Sequence, residues 1–340
     1  MTQKINVGLI GAGRIGRVHA EHLAYRVPGA NLVAVADVFE EAAKKVAADF
    51  QIPDAYQDYR RIMEDETIEA IVICSSTDTH SQMIEEAAAA GKHIFCEKPI
   101  DHDLNKIDHV LASVEESGVK LQIGFNRRFD LNFRRVREIV ASGEIGVPHI
   151  LRITSRDPGP PPIEYIKISG GIFLDMTIHD FDMARFLIGV EVVEIYAVGG
   201  VMVDPQIGET GDIDTAIITL RFENGVIGTI DNSRKAVYGY DQRVEVFGSE
   251  GVVVISNNTP DTAVVSNASG IHAPLPLFFF IERYTEAYIA EMKEFIECIQ
   301  QDTTPPVTGI DGRIPVVMGY AAKKSYQDNR PVRLSEVETI

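Results

Sequence analysis

Asp175 and His179 are the first pair of residues in this 340-residue chain whose types and spacing could do chemistry. A separation of four residues on a helix places both side chains on one face, one turn apart. A histidine that titrates near neutral pH can accept the proton of a hydroxyl as hydride leaves the adjoining carbon, and a carboxylate can bind a neighbouring hydroxyl or orient the imidazole. The structural alternatives are a helix N-cap for Asp175 and a buried, hydrogen-bonded ring for His179.

A lysine followed by proline, Lys98-Pro99, is the second candidate. It comes directly after Cys96 and Glu97, where an apolar run at residues 92–96 that reads as a strand ends. Ligands of open parallel sheets bind in the crevice outside the carboxyl ends of the strands, so we expect Lys98 to point into that crevice. The alternative is an exposed surface lysine, the common state of this residue type.

A glycine-rich turn at residues 11–16 follows the apolar residues 5–10. Gly11 permits a tight turn off the strand, Gly13 lets the backbone approach a pyrophosphate, and Gly16 lets the next helix pack closely on the strand. The N-terminus of that helix is an anion site, so the order of these elements predicts a dinucleotide-binding motif. The expected cofactor contacts in this turn are Gly11, Gly13, Arg14, Ile15 and Gly16.

Asp37 closes the second apolar run, about 20 residues after Gly16. A carboxylate at this position can accept hydrogen bonds from both hydroxyls of an adenosine ribose, and it repels a 2′-phosphate. The next residues, Val38 and Phe39, offer no cation for such a phosphate. NAD is therefore the expected cofactor, in preference to NADP.

Short apolar strands alternate with helices in the first part of the chain. Strands that are apolar throughout and joined by helices form a parallel sheet covered on both faces. The pattern predicts an α/β Rossmann domain at residues 1–124. The predicted strands are residues 5–10, 32–37, 70–74, 92–96 and 120–124, and the predicted helices include residues 40–50, 81–90 and 103–117.

The remainder of the chain, residues 125–340, has longer β-type runs with hairpin turns such as Asn224-Gly225. We predict a substrate-binding α+β domain with a large, mostly antiparallel open sheet. One face of such a sheet needs cover, so we expect a homo-oligomer, either a dimer or a tetramer. The predicted strands are residues 147–155, 192–203, 214–222, 226–233, 242–247 and 251–256, and the predicted helices are residues 176–188, 284–300 and 309–328.

Composition excludes several functional classes. A formal net charge of −18 opposes binding to nucleic acid and to acidic membranes. No apolar run of the sequence is long enough to span a bilayer. Cys74, Cys96 and Cys298 lack CxxC spacing, which argues against a disulfide framework or structural zinc and favours a reducing cytoplasm.

Metal-assisted catalysis is the other possible use of Asp175 and His179. Zinc would require a third close ligand, and the remaining candidate histidines have neither HxxxH spacing nor a cysteine partner. We therefore expect no catalytic metal. These histidines are His80, His93, His102 and His149.

Taken together, the motifs resemble the glucose-fructose oxidoreductase, inositol dehydrogenase and rhizopine-catabolism (Gfo/Idh/MocA) family, whose members carry Glu-Lys-Pro in the place of residues 97–99. The similarity extends over nearly the whole chain. It narrows to the bacterial inositol 2-dehydrogenase branch through residues 155–158, 170–183, 232–243 and 284–288.

The resemblance implies that Lys98, Asp175 and His179 form the catalytic group and that the bond before Pro99 is cis. It further implies a cofactor segment at residues 75–80, where this chain departs from the family by carrying Asp78 in place of a frequent proline. The implied polyol contacts are Arg127, Asp157 and Tyr238, and the further implied cofactor contacts are Ser75, His80, Glu97 and Lys98.

The implied reaction is oxidation of one axial ring hydroxyl of myo-inositol to the ketone, with hydride passing to NAD. One alternative keeps this chemistry but acts on scyllo-inositol or a pyranose such as glucose. A different class of protein, a non-catalytic NAD-binding regulator, would have lost the group formed by Lys98, Asp175 and His179, which is present in this sequence.

Overall fold

The computed structural model describes residues 4–337 and divides into two compact units. The described part of the first unit comprises residues 4–129 together with Glu286–Ile314. The second unit comprises Asp130–Thr285 together with residues 315–337.

The first unit contains a six-stranded parallel sheet in the order β3-β2-β1-β4-β5-β6. Its strands are Ile5–Ile10 (β1), Ala30–Ala36 (β2), Asp54–Tyr56 (β3), Ala70–Ile73 (β4), His93–Glu97 (β5) and Leu121–Gly124 (β6). Its helices are Arg14–Tyr25 (α1), Glu40–Phe50 (α2), Arg60–Glu64 (α3), Thr77–Ala89 (α4) and Leu104–Ser117 (α5), followed by a 3-10 turn at Asn126–Phe129. The predicted Rossmann architecture is confirmed.

Two short elements of this unit, β3 and α3, were not predicted. The strand β3 has three residues, none of them fully buried, so it lacks the apolar run that marks the other strands. The helix α4 begins at Thr77, ahead of the predicted residue 81, because polar residues form its first turn.

A late segment of the chain, Glu286–Ile314, belongs to the first unit. Met292, Phe295 and Ile296 are at most 1% exposed and pack in the same core cluster as Val7 and Phe95. The prediction that assigned all of residues 125–340 to the second domain therefore differs from this grouping, because contacts between distant parts of the chain complete the first core.

The second unit is built on a seven-stranded sheet in the order β12-β11-β7-β10-β9-β8-β15. Its strands are Pro148–Arg156 (β7), Val192–Gly200 (β8), Thr215–Phe222 (β9), Ile227–Ser233 (β10), Asp241–Gly248 (β11), Val252–Ile255 (β12) and Val332–Arg333 (β15), with a separate hairpin of Val265–Asn267 (β13) and Gly270–His272 (β14). Its helices are Leu131–Ser142 (α6), Ile163–Ile166 (α7), Ile172–Asp175 (α8), Ile178–Ile188 (α9) and Pro205–Glu209 (α10).

The neighbours in this sheet are antiparallel except β7 and β10, which are parallel. The predicted α+β class with a mostly antiparallel sheet is thus confirmed. Strict alternation along β9 buries Ile218 and Leu220 on one face and exposes Ile217 on the other.

Two long helices contribute to both units. They are Phe280–Gln301 (α11), in which Tyr284 has non-helical backbone angles, and Gly309–Asp328 (α12), which contains Pro315. The division between the units falls after Thr285 in α11 and after Ile314 in α12. Among the helices of residues 4–337, none combines the length and the apolar character needed to cross a membrane.

Candidate active site

The glycine turn between β1 and α1 has a separate steric reason for each glycine. Gly11 has φ +99°, and a Cβ there would lie 2.6 Å from the carbonyl carbon of Cys74. At Gly16 a Cβ would lie 1.8 Å from the carbonyl oxygen of Gly11, so only glycine lets α1 approach the strand this closely. A Cβ on Gly13 would meet no described heavy atom within 4 Å. The backbone at Gly13 therefore faces open space that suits a pyrophosphate.

The N-terminus of α1 gives an electrostatic reason why an anion can bind at this turn. Gly13 occupies the N-cap, and the first turn, which begins with Arg14 and Ile15, contains no acidic side chain. The partial positive charge of the helix end is therefore not offset by an acid in its own first turn and can act on an anion.

Asp37 lies directly after β2 and holds the glycine turn. Its Oδ2 atom accepts a hydrogen bond from the backbone N–H of Ala12 at 2.7 Å, and its Oδ1 atom accepts one from the N–H of Phe39 at 2.8 Å. The side chains of Val38 and Phe39 are exposed and bring no positive charge. The residues present thus fit a dinucleotide whose ribose hydroxyls bind a carboxylate.

The segment after β4 carries Ser75 and His80. Ser75 Oγ shares a hydrogen bond with Thr79 Oγ1 at 2.7 Å. The His80 ring is 1% exposed, with Nδ1 at 2.8 Å from the carbonyl oxygen of Pro99 and Nε2 at 3.1 Å from that of Ser75. Burial lowers the pKa of His80, against the opposing effect of these two carbonyls. His80 therefore joins α4 to the loops after β4 and β5, and its direct contact with a cofactor stays a prediction.

Glu97 and Lys98 lie at the carboxyl end of β5. Glu97 Oε1 is 2.7 Å from Nε2 of His19, which belongs to the buried face of α1. Lys98 is half-buried, and the Lys98–Pro99 bond is cis, as the resemblance implies. Arg127, on the 3-10 turn after β6, is 4% exposed. Their roles toward cofactor and polyol stay predictions.

In the second unit, Asp175 is held by two donors. Tyr165 Oη donates to its Oδ1 atom at 2.8 Å, and Arg234 Nη1 donates to its Oδ2 atom at 3.0 Å. The guanidinium of Arg234 is 1% exposed. This pair of donors fixes the orientation of the carboxylate.

The expectation that Asp175 and His179 lie on one continuous helix is wrong. Helix α8 ends at Asp175 and α9 begins at Ile178. The cause is the carbonyl of Ile172, which accepts from the N–H of Met176 at 3.0 Å and also from the N–H of Thr177 at 2.9 Å. A helix interior would give this carbonyl one i→i+4 partner.

The start of α9 is anchored to β10 beside the half-buried His179. Asn232 accepts from Thr177 Oγ1 at 2.6 Å and donates to Asp180 Oδ2 at 2.9 Å. All three of these side chains are fully buried. The backbone that carries His179 is therefore rigidly placed.

The backbone of Asp157 is bonded to the end of β10 and to the segment that follows it, in which Tyr238 lies. The N–H of Asp157 donates to the carbonyl of Ser233 at 2.9 Å, and the carbonyl of Asp157 accepts from Ala236 at 2.6 Å. Tyr238 Oη donates to Asp241 at 2.6 Å. Burial and this carboxylate raise the pKa of Tyr238.

The sequence analysis did not identify four residues that lie beside Glu97 or Asp175. His19 and Glu291 face Glu97, and Tyr165 and Arg234 hold Asp175. A polar residue on the apolar face of a helix, as His19 is beside Ala20 and Leu23, is the one signal that could have indicated such a role.

Comparison with known proteins agrees with this arrangement. Residues 5–125 match the oxidoreductase family model with an NAD-binding Rossmann fold, and residues 133–254 match the GFO/IDH/MocA C-terminal domain. The chain is 48% identical to myo-inositol 2-dehydrogenase of Thermotoga maritima, over 98% of this chain and 99% of that protein. It is 44% identical to inositol 2-dehydrogenase of Rhizobium meliloti, over 97% of this chain and 99% of that protein.

Solved structures of dehydrogenases also resemble this chain. A probable dehydrogenase from Thermotoga maritima superposes with a TM-score of 0.96 at 48% identity, covering 98% of this chain and 100% of that one. Scyllo-inositol dehydrogenase from Lactobacillus casei, with bound NAD(H) and scyllo-inositol, superposes with a TM-score of 0.92 at 29% identity. The match covers 98% of this chain and 100% of that one.

Proposed function

The chain belongs to the Gfo/Idh/MocA family of oxidoreductases with an NAD-binding Rossmann fold, and we propose that it oxidises a ring hydroxyl of myo-inositol to the ketone. The observation that carries this proposal is the 48% identity, over 98% of the chain, to a myo-inositol 2-dehydrogenase. The donors Tyr165 and Arg234, which orient Asp175, also support it, because a carboxylate in a fixed orientation suits a substrate covered in hydroxyl groups.

In this proposal His179 accepts the hydroxyl proton, and Lys98 donates a hydrogen bond to the same oxygen as negative charge develops on it. Asp175 binds the neighbouring hydroxyl or orients the imidazole, while Arg127, Asp157 and Tyr238 bind the remaining hydroxyls. NAD, when bound, accepts the hydride from the carbon. The products are the ketone, NADH and a protonated His179.

The second candidate substrate is scyllo-inositol, which is favoured by the likeness to a solved structure that contains it. Both isomers present a ring of hydroxyls, so the shape of the polyol site decides between them. A pyranose such as glucose is the third candidate. A non-catalytic NAD-binding regulator is disfavoured because Lys98, Asp175 and His179 are all present.

The test follows the absorbance of NADH when the purified protein and NAD are mixed with myo-inositol, scyllo-inositol or glucose, one at a time. Lys98→Ala is assayed in parallel, with the exposed Lys323→Ala as its matched control. We expect turnover of an inositol, a fall in kcat of about 100-fold or more in Lys98→Ala with NADH binding retained, and no change in Lys323→Ala. Turnover of none of the three polyols, or ordinary turnover by Lys98→Ala, would contradict the proposal.

We also propose that the enzyme acts in the cytoplasm as a homo-oligomer, a dimer or a tetramer. Support for the compartment comes from three buried free thiols, Cys74, Cys96 and Cys298. Support for the assembly comes from the outer face of the large sheet, which exposes Val198, Ile217, Ile227 and Phe247. Sedimentation velocity of the purified protein tests the assembly, and a monomer would overturn it.

A further inference from the structure

A cluster of three ionisable side chains lies behind β5, inside the first unit. His19 comes from α1, Glu97 from the end of β5 and Glu291 from α11. Nε2 of His19 is 2.7 Å from Glu97 and 4.0 Å from Glu291. His19 and Glu291 are fully buried, and the Glu97 side chain is 12% exposed.

Aromatic side chains pack against the imidazole of the cluster. The His19 ring packs edge-to-face against Phe95 and Tyr288, with centroids 5.3 and 5.6 Å away. A Cβ at Gly124 would lie 2.9 Å from Glu97 Oε2, so this glycine leaves room for the carboxylate. The Glu97 carboxylate is therefore held at a defined point of the strand end.

Glu291 differs from Glu97 in its partners. Neither of its carboxyl oxygens has a hydrogen-bond partner within residues 4–337, although the side chain is completely buried. An ionised carboxylate in such a place would bear a large desolvation cost. Burial, followed by the charge of Glu97, raises the pKa of Glu291 well above its ordinary value.

The remaining ionisable groups around Glu291 do not offset this effect. The thiol of Cys74, which follows β4, is buried, and its pKa is raised by burial and then by the charge of Glu97. A neutral thiol supplies no positive charge. The imidazole of His19 is the single nitrogen base of the cluster.

Two explanations can account for two buried carboxyl groups beside one imidazole, a bound divalent cation or a retained proton. Two ligands of one tetrahedral zinc ion, each about 2.1 Å from it, are about 3.4 Å apart. The 2.7 Å separation of His19 Nε2 and Glu97 Oε1 is shorter and is that of a charge-assisted hydrogen bond. The geometry thus favours the proton.

We propose that Glu291 is a permanently protonated acid and that the His19–Glu97–Glu291 cluster is a positioning device for Lys98. His19 donates from Nε2 to an ionised Glu97, and the neutral Glu291 closes the cluster without adding a second charge. Because Glu97 immediately precedes Lys98, its immobilisation fixes the backbone that carries the lysine. His19 lies in the helix that begins at the glycine turn. The cluster therefore also links this helix to the strand end that precedes Lys98.

This inference rests on the proposed function only for the role of Lys98, and its first test needs no polyol. Infrared spectra of the whole protein at neutral pH are compared for wild type, Glu291→Gln and the control Glu297→Gln, whose side chain on the same helix is 43% exposed. We expect a protonated-carboxyl C=O band in wild type and Glu297→Gln and its loss in Glu291→Gln. A wild-type spectrum without that band would overturn the proposal.

Urea unfolding gives an independent readout of the same proton. The unfolded chain releases it near the ordinary pKa of 4.5 and the folded chain retains it, so folding weakens as pH rises above that value. Glu291→Gln carries no such penalty. We expect its urea midpoint to exceed that of wild type at pH 8 and the gap to close toward pH 4.5. A lower midpoint at pH 8, or a stoichiometric divalent metal in wild type that is lost in Glu291→Gln, would overturn the proposal.

The positioning role is tested through His19. His19→Phe removes the donor to Glu97, whereas His19→Gln keeps an N–H near the same place. We expect His19→Phe to lower kcat about tenfold more than it weakens NADH binding, and His19→Gln to recover most of that loss. Equal losses in both variants, or an unchanged kcat in His19→Phe, would overturn the role. If wild type oxidises no polyol, the proposed function fails while the infrared and urea results still decide the protonation of Glu291.

Discussion

Arg234 donates to Asp175 over 3.0 Å from a guanidinium that is almost completely buried. The same guanidinium lies 3.8 Å from Asp212, so one buried cation forms ion pairs with two carboxylates. An uncompensated charge would remain if either partner of such a pair were removed. The orientation of Asp175 therefore depends on a residue far from it in the sequence.

Replacing Arg234 with Met should lower the free energy of unfolding by about 3–5 kcal/mol, because it leaves Asp175 without its buried cation. Urea unfolding measures this change. Tyr165→Phe, which removes a neutral donor to Asp175 from an exposed residue, should cost about 1 kcal/mol. Similar losses in both variants would show that the charge of Arg234 is not the stabilising feature.

Substitution by alanine should affect stability at Gly16 and cofactor binding at Gly13. Gly16→Ala places a Cβ 1.8 Å from the carbonyl oxygen of Gly11 and should lower the free energy of unfolding by about 3 kcal/mol or more. Gly13→Ala places its Cβ in open space at φ −70° and should leave stability unchanged. It should weaken NADH binding by about 10- to 100-fold, measured by NADH fluorescence, because the methyl group occupies the place of the pyrophosphate. Unchanged NADH affinity in Gly13→Ala would contradict this assignment.

Asp37→Asn should reduce the preference for NAD over NADP. The substitution keeps the size of the side chain and removes the charge that is proposed to bind the ribose hydroxyls, a change worth about 1.5–3 kcal/mol. We expect kcat/KM for NAD to fall about 10- to 100-fold and that for NADP to rise. Asp49→Asn, a partly exposed aspartate of the same unit, is the control, and equal effects of the two variants would argue against the role of Asp37.

His22 should make stability depend on pH. Burial, followed by the nearby charges of His19 and Arg26, lowers its pKa to about 4 from an ordinary value of 6.5. Between these values the unfolded chain binds a proton that the folded chain does not, so stability falls as pH decreases from 6.5 to 4, by at most about 3 kcal/mol. His22→Gln should reduce this loss. His80 and His93 also have lowered pKa values, so only the difference between variant and wild type reports on His22, and identical pH curves would contradict the prediction.

The sequence predicted the local structure correctly where that structure depends on neighbouring residues. The glycine turn and Asp37 were predictable because the turn, the helix and the acid follow one another along the chain. The break between α8 and α9 was not, because it depends on two backbone N–H groups that donate to one carbonyl, that of Ile172. Nor was the cluster of His19 with Glu291, since residues near opposite ends of the chain meet only after folding.

The return of residues Glu286–Ile314 to the first unit also affects how the protein is made. Met292, Phe295 and Ile296 complete the core around β1 and β5, so the cofactor-binding half is still missing part of its interior when the ribosome has finished β6. Its final consolidation must wait until α11 has emerged. The nucleotide-binding half, although encoded first, is therefore completed late in synthesis, and nascent chains stalled before α11 would carry it in an unfinished, protease-sensitive form.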